Sequence, residues 1–236
     1  MDAKEAFFDL GKWHGALIFS SGKFRDFRGY LENSNAIELH ISTKVITSVN
    51  EQGDLTHRQL SGDLLYNKIS NEYKESYSDS LVLHANMLIV MAGSYFENMV
   101  FDFLRNYFIH KPKSLHKFLG SDGYIKVTEV FSYDALSDLI TDLAARGAKN
   151  AASGSPSLIF RRVRSLTKCD IPNELERKIV KLIEKRNEIV HDIKEYPIDA
   201  VDIEGAYETL QELLKKLGLI TRDLNLPLFD PGSLLS

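Results

Sequence analysis

The stretch LVLHANMLIVMAGSYFENMVFDFLRNYF, residues 81–108, decides the fold. Drawn at 100° per residue it is apolar nearly all the way round, and a helix of that kind sits at the centre of a bundle. Between Asp63 and Phe108 the chain has no proline, and Gly93 is its sole glycine. The uncharged run from Ser80 to Phe96 is about 17 residues, short of the ~20 mostly apolar residues that cross a bilayer. It also holds His84, Asn86, Gly93 and Ser94. It therefore reads as the buried helix of a soluble protein with no membrane partner.

Composition sets the outer bounds. The chain has 236 residues, 44% of them apolar, enough to bury a core and to exclude disorder over the whole length. Lys+Arg is 29 and Asp+Glu is 33, for a net charge of −4. That excludes nucleic-acid binding driven by bulk positive charge and leaves room for a local basic patch. The lone cysteine, Cys169, excludes an intrachain disulfide and a four-cysteine zinc site. It suits a reducing compartment. The opening, MDAKEAFFDLGKWHG, is charged before any apolar run and does not resemble a signal peptide. A cytoplasmic location is expected.

Outward from the central stretch, the expected architecture is all-α, with an N-terminal elaboration over residues 1–62 that includes a short β segment. The segment AIELHISTKVITSV, 36–49, mixes two periods. Ile37, Leu39 and Ile41 alternate as in a strand, whereas Ile41, Val45, Ile46 and Val49 have helical spacing. β-branching favours a strand over its first half. NEQGDLTHRQLSG, 50–62, reads as a polar loop. Downstream, Leu136, Leu139, Ile140 and Leu143 form one helical stripe within 126–145. ARGAKNAASGSPS, 145–157, reads as a surface loop or hinge. A helix is expected over 173–193, with Asn173 as its cap and Glu174 and Glu176 in its first turn. Another is expected from Pro197 to Leu217, stopping at Gly218. The helical domain covers 63–220, and an irregular tail follows over 221–236.

The helix at 173–193 carries the functional argument. Ile179, Val180, Leu182, Ile183, Ile189, Val190 and Ile193 share one arc of its wheel, and Lys181, Glu184, Lys185, Glu188 and Asp192 share the opposite one. Arg186 falls in the middle of the apolar arc. Asn187 is at its edge, and His191, four residues on, is Asn187's neighbour. A guanidinium buried without a partner costs several kcal/mol. The position is therefore paired with a carboxylate, or it opens onto a cleft or a subunit interface. One reading is structural: Arg186 snorkels or makes an ion pair, and His191 is a surface residue. The other is chemical. A histidine moves protons near neutral pH, an arginine grips a phosphate and offsets charge in a pentacoordinate transition state, and an amide orients either. Together they suit metal-free RNA cleavage by the ribose 2′-OH. That reaction needs both a base and an acid, and a two-fold dimer with this helix near its axis would supply two histidines.

The string RNEIVHD, Arg186 to Asp192, resembles the Arg, four to six residues, His motif of HEPN-domain ribonucleases. The run LIVMAGSYFENMVFDFL, with Glu97 in an apolar helix, is similar to the first core helix of the RiboL-PSP-like HEPN group. The helices that follow come in the expected order, and the resemblance covers roughly residues 80–217. It implies a four-to-five-helix bundle that dimerises, with Arg186 and His191 catalytic and Asn187 supporting. It also implies an RNA-cutting toxin or effector in bacterial defence or a toxin–antitoxin system, with an antitoxin or defence-system partner protein. Many HEPN domains are non-catalytic, so a helical dimerisation adaptor is the alternative.

Other residues bear on the same site. Glu97 is expected to pair with Arg186 and steady its fork, with Arg105, two turns on, as the structural alternative. Arg161, Arg162, Arg164 and Lys168, with Lys178, Lys181 and Lys185 nearby, form either an RNA-tracking surface or a solvated face. His14, His40, His57, His84, His110 and His116 lack metal-ligand spacing, and no phosphate loop, GxSxG or HExxH occurs. No metal or cofactor is expected.

Overall fold

The computed structural model describes residues 6–60, 66–119, 125–192 and 200–234. The expected boundary at 62/63, the turn at Gly120 and Gly123, Ile193 and Pro197 lie outside them. The fold is all-α with a small N-terminal β segment. In chain order the elements are β1 (Phe8–Asp9), α1 (Leu10–Leu31), α2 (Ser34–Ser42), β2 (Val45–Val49), β3 (Leu55–Gln59) and α3 (Tyr66–His110). A 3-10 turn at Pro112–Lys117 leads to α4 (Val127–Val130), α5 (Leu136–Ala151), α6 (Pro156–Thr167), α7 (Asn173–Asp192), α8 (Ala200–Asp223) and β4 (Leu228–Phe229).

The 81–108 stretch is the C-terminal part of α3, a helix of 45 residues. By length and composition α3 could cross a membrane, but half of its apolar window is buried inside the molecule. Its partners are α1, α5, α7 and α8. Ala85, Ile89, Phe96, Val100 and Phe103 are buried in one core along one side of it, and from Leu104 to Ile109 the burial extends around the helix. The apolar wheel is thus fully enclosed only in its last turns, and Leu83, Met87 and Met91 leave part of its other side exposed. Trp13, Leu17 and Phe24 bring α1 into the same core. The first turns of α3 hold a second, smaller cluster, in which Ile41 and Leu60 are buried against Ile46, Tyr66, Ile69, Tyr73 and Tyr77.

Several local expectations are corrected. The first half of 36–49 is helical, because Asn33 caps α2 by accepting the amide of Ala36 (3.2 Å). The buried side chain of Ile41 then anchors that helix to the small core. The strand lies in the second half, where β2 pairs antiparallel with β3 from Val45↔Gln59 to Val49↔Leu55. The segment read as a polar loop therefore contains a strand. Its turn is set by Asn50, whose Oδ1 accepts the amides of Gln52 and Asp54, and by Gly53 at φ 88°. The small-residue stretch at 145–151 continues α5, because Gly147, Ala148 and Ala151 are buried faces of that helix. At Gly147 an added Cβ would lie 2.5 Å from Leu115 Cδ2. The last helix runs through Gly218 to Asp223. Gly218 there is a packing position: a Cβ on it would stand 2.9 Å from Leu10 Cδ2. The tail is not wholly irregular, since β4 pairs parallel with β1, Phe8 opposite Leu228.

Candidate active site

Helix α7 lies along α3, with Leu175, Ile179, Leu182 and Ile183 buried between the elements. Gly93 of α3 faces Arg186, and Phe96 and Glu97 share a cleft with Ile183. The two helices therefore run antiparallel. A Cβ on Gly93 would lie 3.0 Å from Arg186 Cγ and 3.5 Å from its Cδ and Nε. The absent side chain is what seats the arginine stem in the helix–helix contact. Sequence reading passed over this role; its sole signal is that Gly93 stands alone in an otherwise glycine-free helix.

The guanidinium has one hydrogen-bond partner and one nearby carboxylate. Nη1 donates to Asn187 Oδ1 at 3.0 Å, and Nη2 is 3.9 Å from Glu97 Oε1. Nε is buried and has no hydrogen-bond partner. A buried donor left so costs about 1–3 kcal/mol. The arginine side chain is 25% exposed and Glu97 is 50% exposed, so the pair reaches solvent. An exposed ion pair at that distance contributes little and leaves the outer nitrogens able to take a stronger anion. Arg186, Asn187 and Glu97 are thus brought together. His191 stands in the last turn of α7 and is exposed. Five positions from Arg186, it is about 140° round the helix. Among the described residues no hydrogen bond joins the two within one chain.

Both helices also carry exposed apolar side chains. Leu83, Met87 and Met91 recur every fourth residue on α3 and are exposed, Met87 by 54%; Val190 on α7 is 46% exposed. The basic cluster divides. Arg162 Nη1 donates to the carbonyls of Asn150, Ala151 and Ser153 at the end of α5. Arg164 Nη2 is 2.7 Å from Glu176 Oε2 and donates to the carbonyl of Ile171. Both are occupied by the protein's own groups. Arg161 and Lys168 are exposed. Lys178 and Lys185 contact Glu212 and Asp202 of α8 at 3.3 and 3.0 Å. Among the described residues no three His, Cys, Asp or Glu side chains gather as a metal site would require.

In comparisons with known proteins, no family model, no curated protein and no solved structure matched the chain.

Proposed function

We propose that the protein is a metal-independent endoribonuclease of HEPN type, acting in the cytoplasm as a homodimer. Its biological setting on this reading is a toxin or effector of bacterial defence or of a toxin–antitoxin system, restrained by a partner protein. The observation that carries the reading is the seat at Gly93. A helix built to pack would set an apolar side chain opposite that glycine, yet the chain places a guanidinium there with one buried nitrogen unpaired and its outer nitrogens reaching solvent. Such an arginine is fixed along its stem and open at its tip.

In the proposed reaction His191, as base, takes the proton of a ribose 2′-OH. The oxygen attacks the adjacent phosphorus, the P–O5′ bond breaks, and a 2′,3′-cyclic phosphate remains. Arg186 offsets charge on the non-bridging oxygens. Asn187 and Glu97 hold its fork. The leaving 5′-oxygen takes its proton from the histidine of a second copy. Leu83, Met87 and Val190 supply the apolar surface on which that copy would sit.

The test is cleavage of total RNA in EDTA. His191→Ala is expected to lower the rate by about 10²–10⁴ with an unchanged melting curve, because the side chain is exposed. A 2′-deoxy sugar at the cut site is expected to block cleavage. An undiminished rate in the variant would overturn the assignment. The in-chain Arg186–Glu97 contact favours one other reading, a silent helical adaptor. That reading follows if the wild type is inactive and Arg186→Ala splits the dimer.

A further inference from the structure

A cleft of about 450 Å³ opens beside the candidate active site, between α3, the α5–α6 turn and α7. Phe96, Ile159 and Ile183 make its floor and are buried. Glu97, Lys149 and Ser153 line it from exposed positions. Glu97 also stands 3.9 Å from Arg186 Nη2, so the cleft and the arginine adjoin through one side chain. Among the described residues Lys149 has no ion-pair partner.

The wall at 150–155 is built rather than incidental. Arg162 gathers three carbonyls of this segment onto one nitrogen. Gly154 takes φ 98°, a conformation that L side chains rarely adopt. Ser155 then caps α6 through the amide of Leu158. The result is a preformed slot with an apolar lining and both a cation, Lys149, and a carboxylate, Glu97, at its edge, within the size range of small-ligand sites. A planar, uncharged ring joined to a phosphate has that shape and charge. The larger groove between α1 and α8 does not suit a polyanion, because Glu208, Glu212 and Asp230 line it.

We infer that this cleft binds the nucleotide next to the scissile phosphate, its base laid against the half-buried Phe101 and Ala152 and its own phosphate met by Lys149. Naming the ligand as one nucleotide of an RNA strand rests on the ribonuclease reading.

The experiment titrates a fluorescent, uncleavable all-2′-deoxy oligonucleotide into the full-length protein. The variants are Lys149→Glu, Ser153→Trp and, as a control of equal charge change on the other groove, Lys215→Glu. Lys149 and Ser153 are surface positions, and Lys149→Glu alone suffices if the tryptophan disturbs folding. Affinity is expected to fall at least tenfold for the two cleft variants and less than twofold for the control. In the cleavage assay Lys149→Glu is expected to raise KM more than it lowers kcat. Wild-type affinity in both cleft variants, an equal loss in the control, or no binding by the wild type overturns the inference, even if RNA is cut. Binding that is lost only in the cleft variants, from a wild type that cuts nothing, upholds the cleft and removes the nuclease.

Discussion

At Gly93 the smallest side chain of the chain faces one of the longest. Gly93→Ala sets two effects against each other. Alanine is favoured over glycine inside a helix by about 1 kcal/mol. Its Cβ, however, would come within 3.0 Å of Arg186 Cγ, the middle of a flexible stem that can move aside. The expected outcome is a melting temperature equal to or above wild type and RNA cleavage reduced at least tenfold, read on the same preparation. A fall in both together would assign the glycine to packing alone. Arg186 was legible in the sequence because a charge on an apolar arc breaks a pattern. Gly93 was not, because a glycine's purpose depends on what stands opposite, and one helix says nothing of its neighbour. A second residue-scale expectation concerns Tyr207. Burial first, with Tyr95 nearby, pushes its hydroxyl well above the ordinary value of 10.0. Below pH 10 the folded and unfolded chains both keep this proton, so stability is whole. Above it the unfolded tyrosine ionises while the folded one does not, and stability falls by up to about 1.4 kcal/mol per pH unit. Thermal melts between pH 9 and 11 should show that decline, and Tyr207→Phe should make it shallower.

Among the elements, α7 was the easiest to foresee and α2 with β3 the hardest. The apolar arc of α7 runs for five turns, so its period is unmistakable, although the helix begins at Asn173 itself, the residue expected to stand before it as the cap. In α2, nine residues are too few for a period to declare itself, and the deciding facts are a cap at Asn33 and a distant small core. β3 has little hydrophobic pattern because all of its residues are exposed, and it exists through its pairing with β2. The stretch joining α5 to α6 reads in the sequence as a surface loop or hinge; a single arginine, Arg162 of α6, holds it through three carbonyls. Arg162→Ala should uncap α5 and cost about 1–2 kcal/mol, a drop of roughly 2–8 °C for a chain of this size. Arg161→Ala, at an exposed site, should leave the circular-dichroism melt where it was.

For the molecule as a whole, the sequence disclosed a helical bundle around one apolar helix, because that helix could be stable only if surrounded. It did not disclose that the chain closes on itself, with β1 beside β4, since a two-residue pairing leaves no pattern. Leu83 and Met87 of α3, with Val190 of α7, make the surface on which a second copy is proposed to rest. A charge placed there should act without touching the arginine. Met87→Glu is expected to sediment as a monomer at concentrations where the wild type is a dimer, and to lose cleavage with it. A monomer that still cuts would detach the chemistry from the assembly. The order of the elements has one more consequence, which concerns how the chain is made. The core helix α3 ends at His110, and α7 begins at Asn173. At ~5–20 residues per second of synthesis, its greasy flank waits roughly 3–13 s for the start of that cover. A nascent chain stalled in that interval would present bare hydrocarbon, which makes this protein an expected client of chaperones at the ribosome exit.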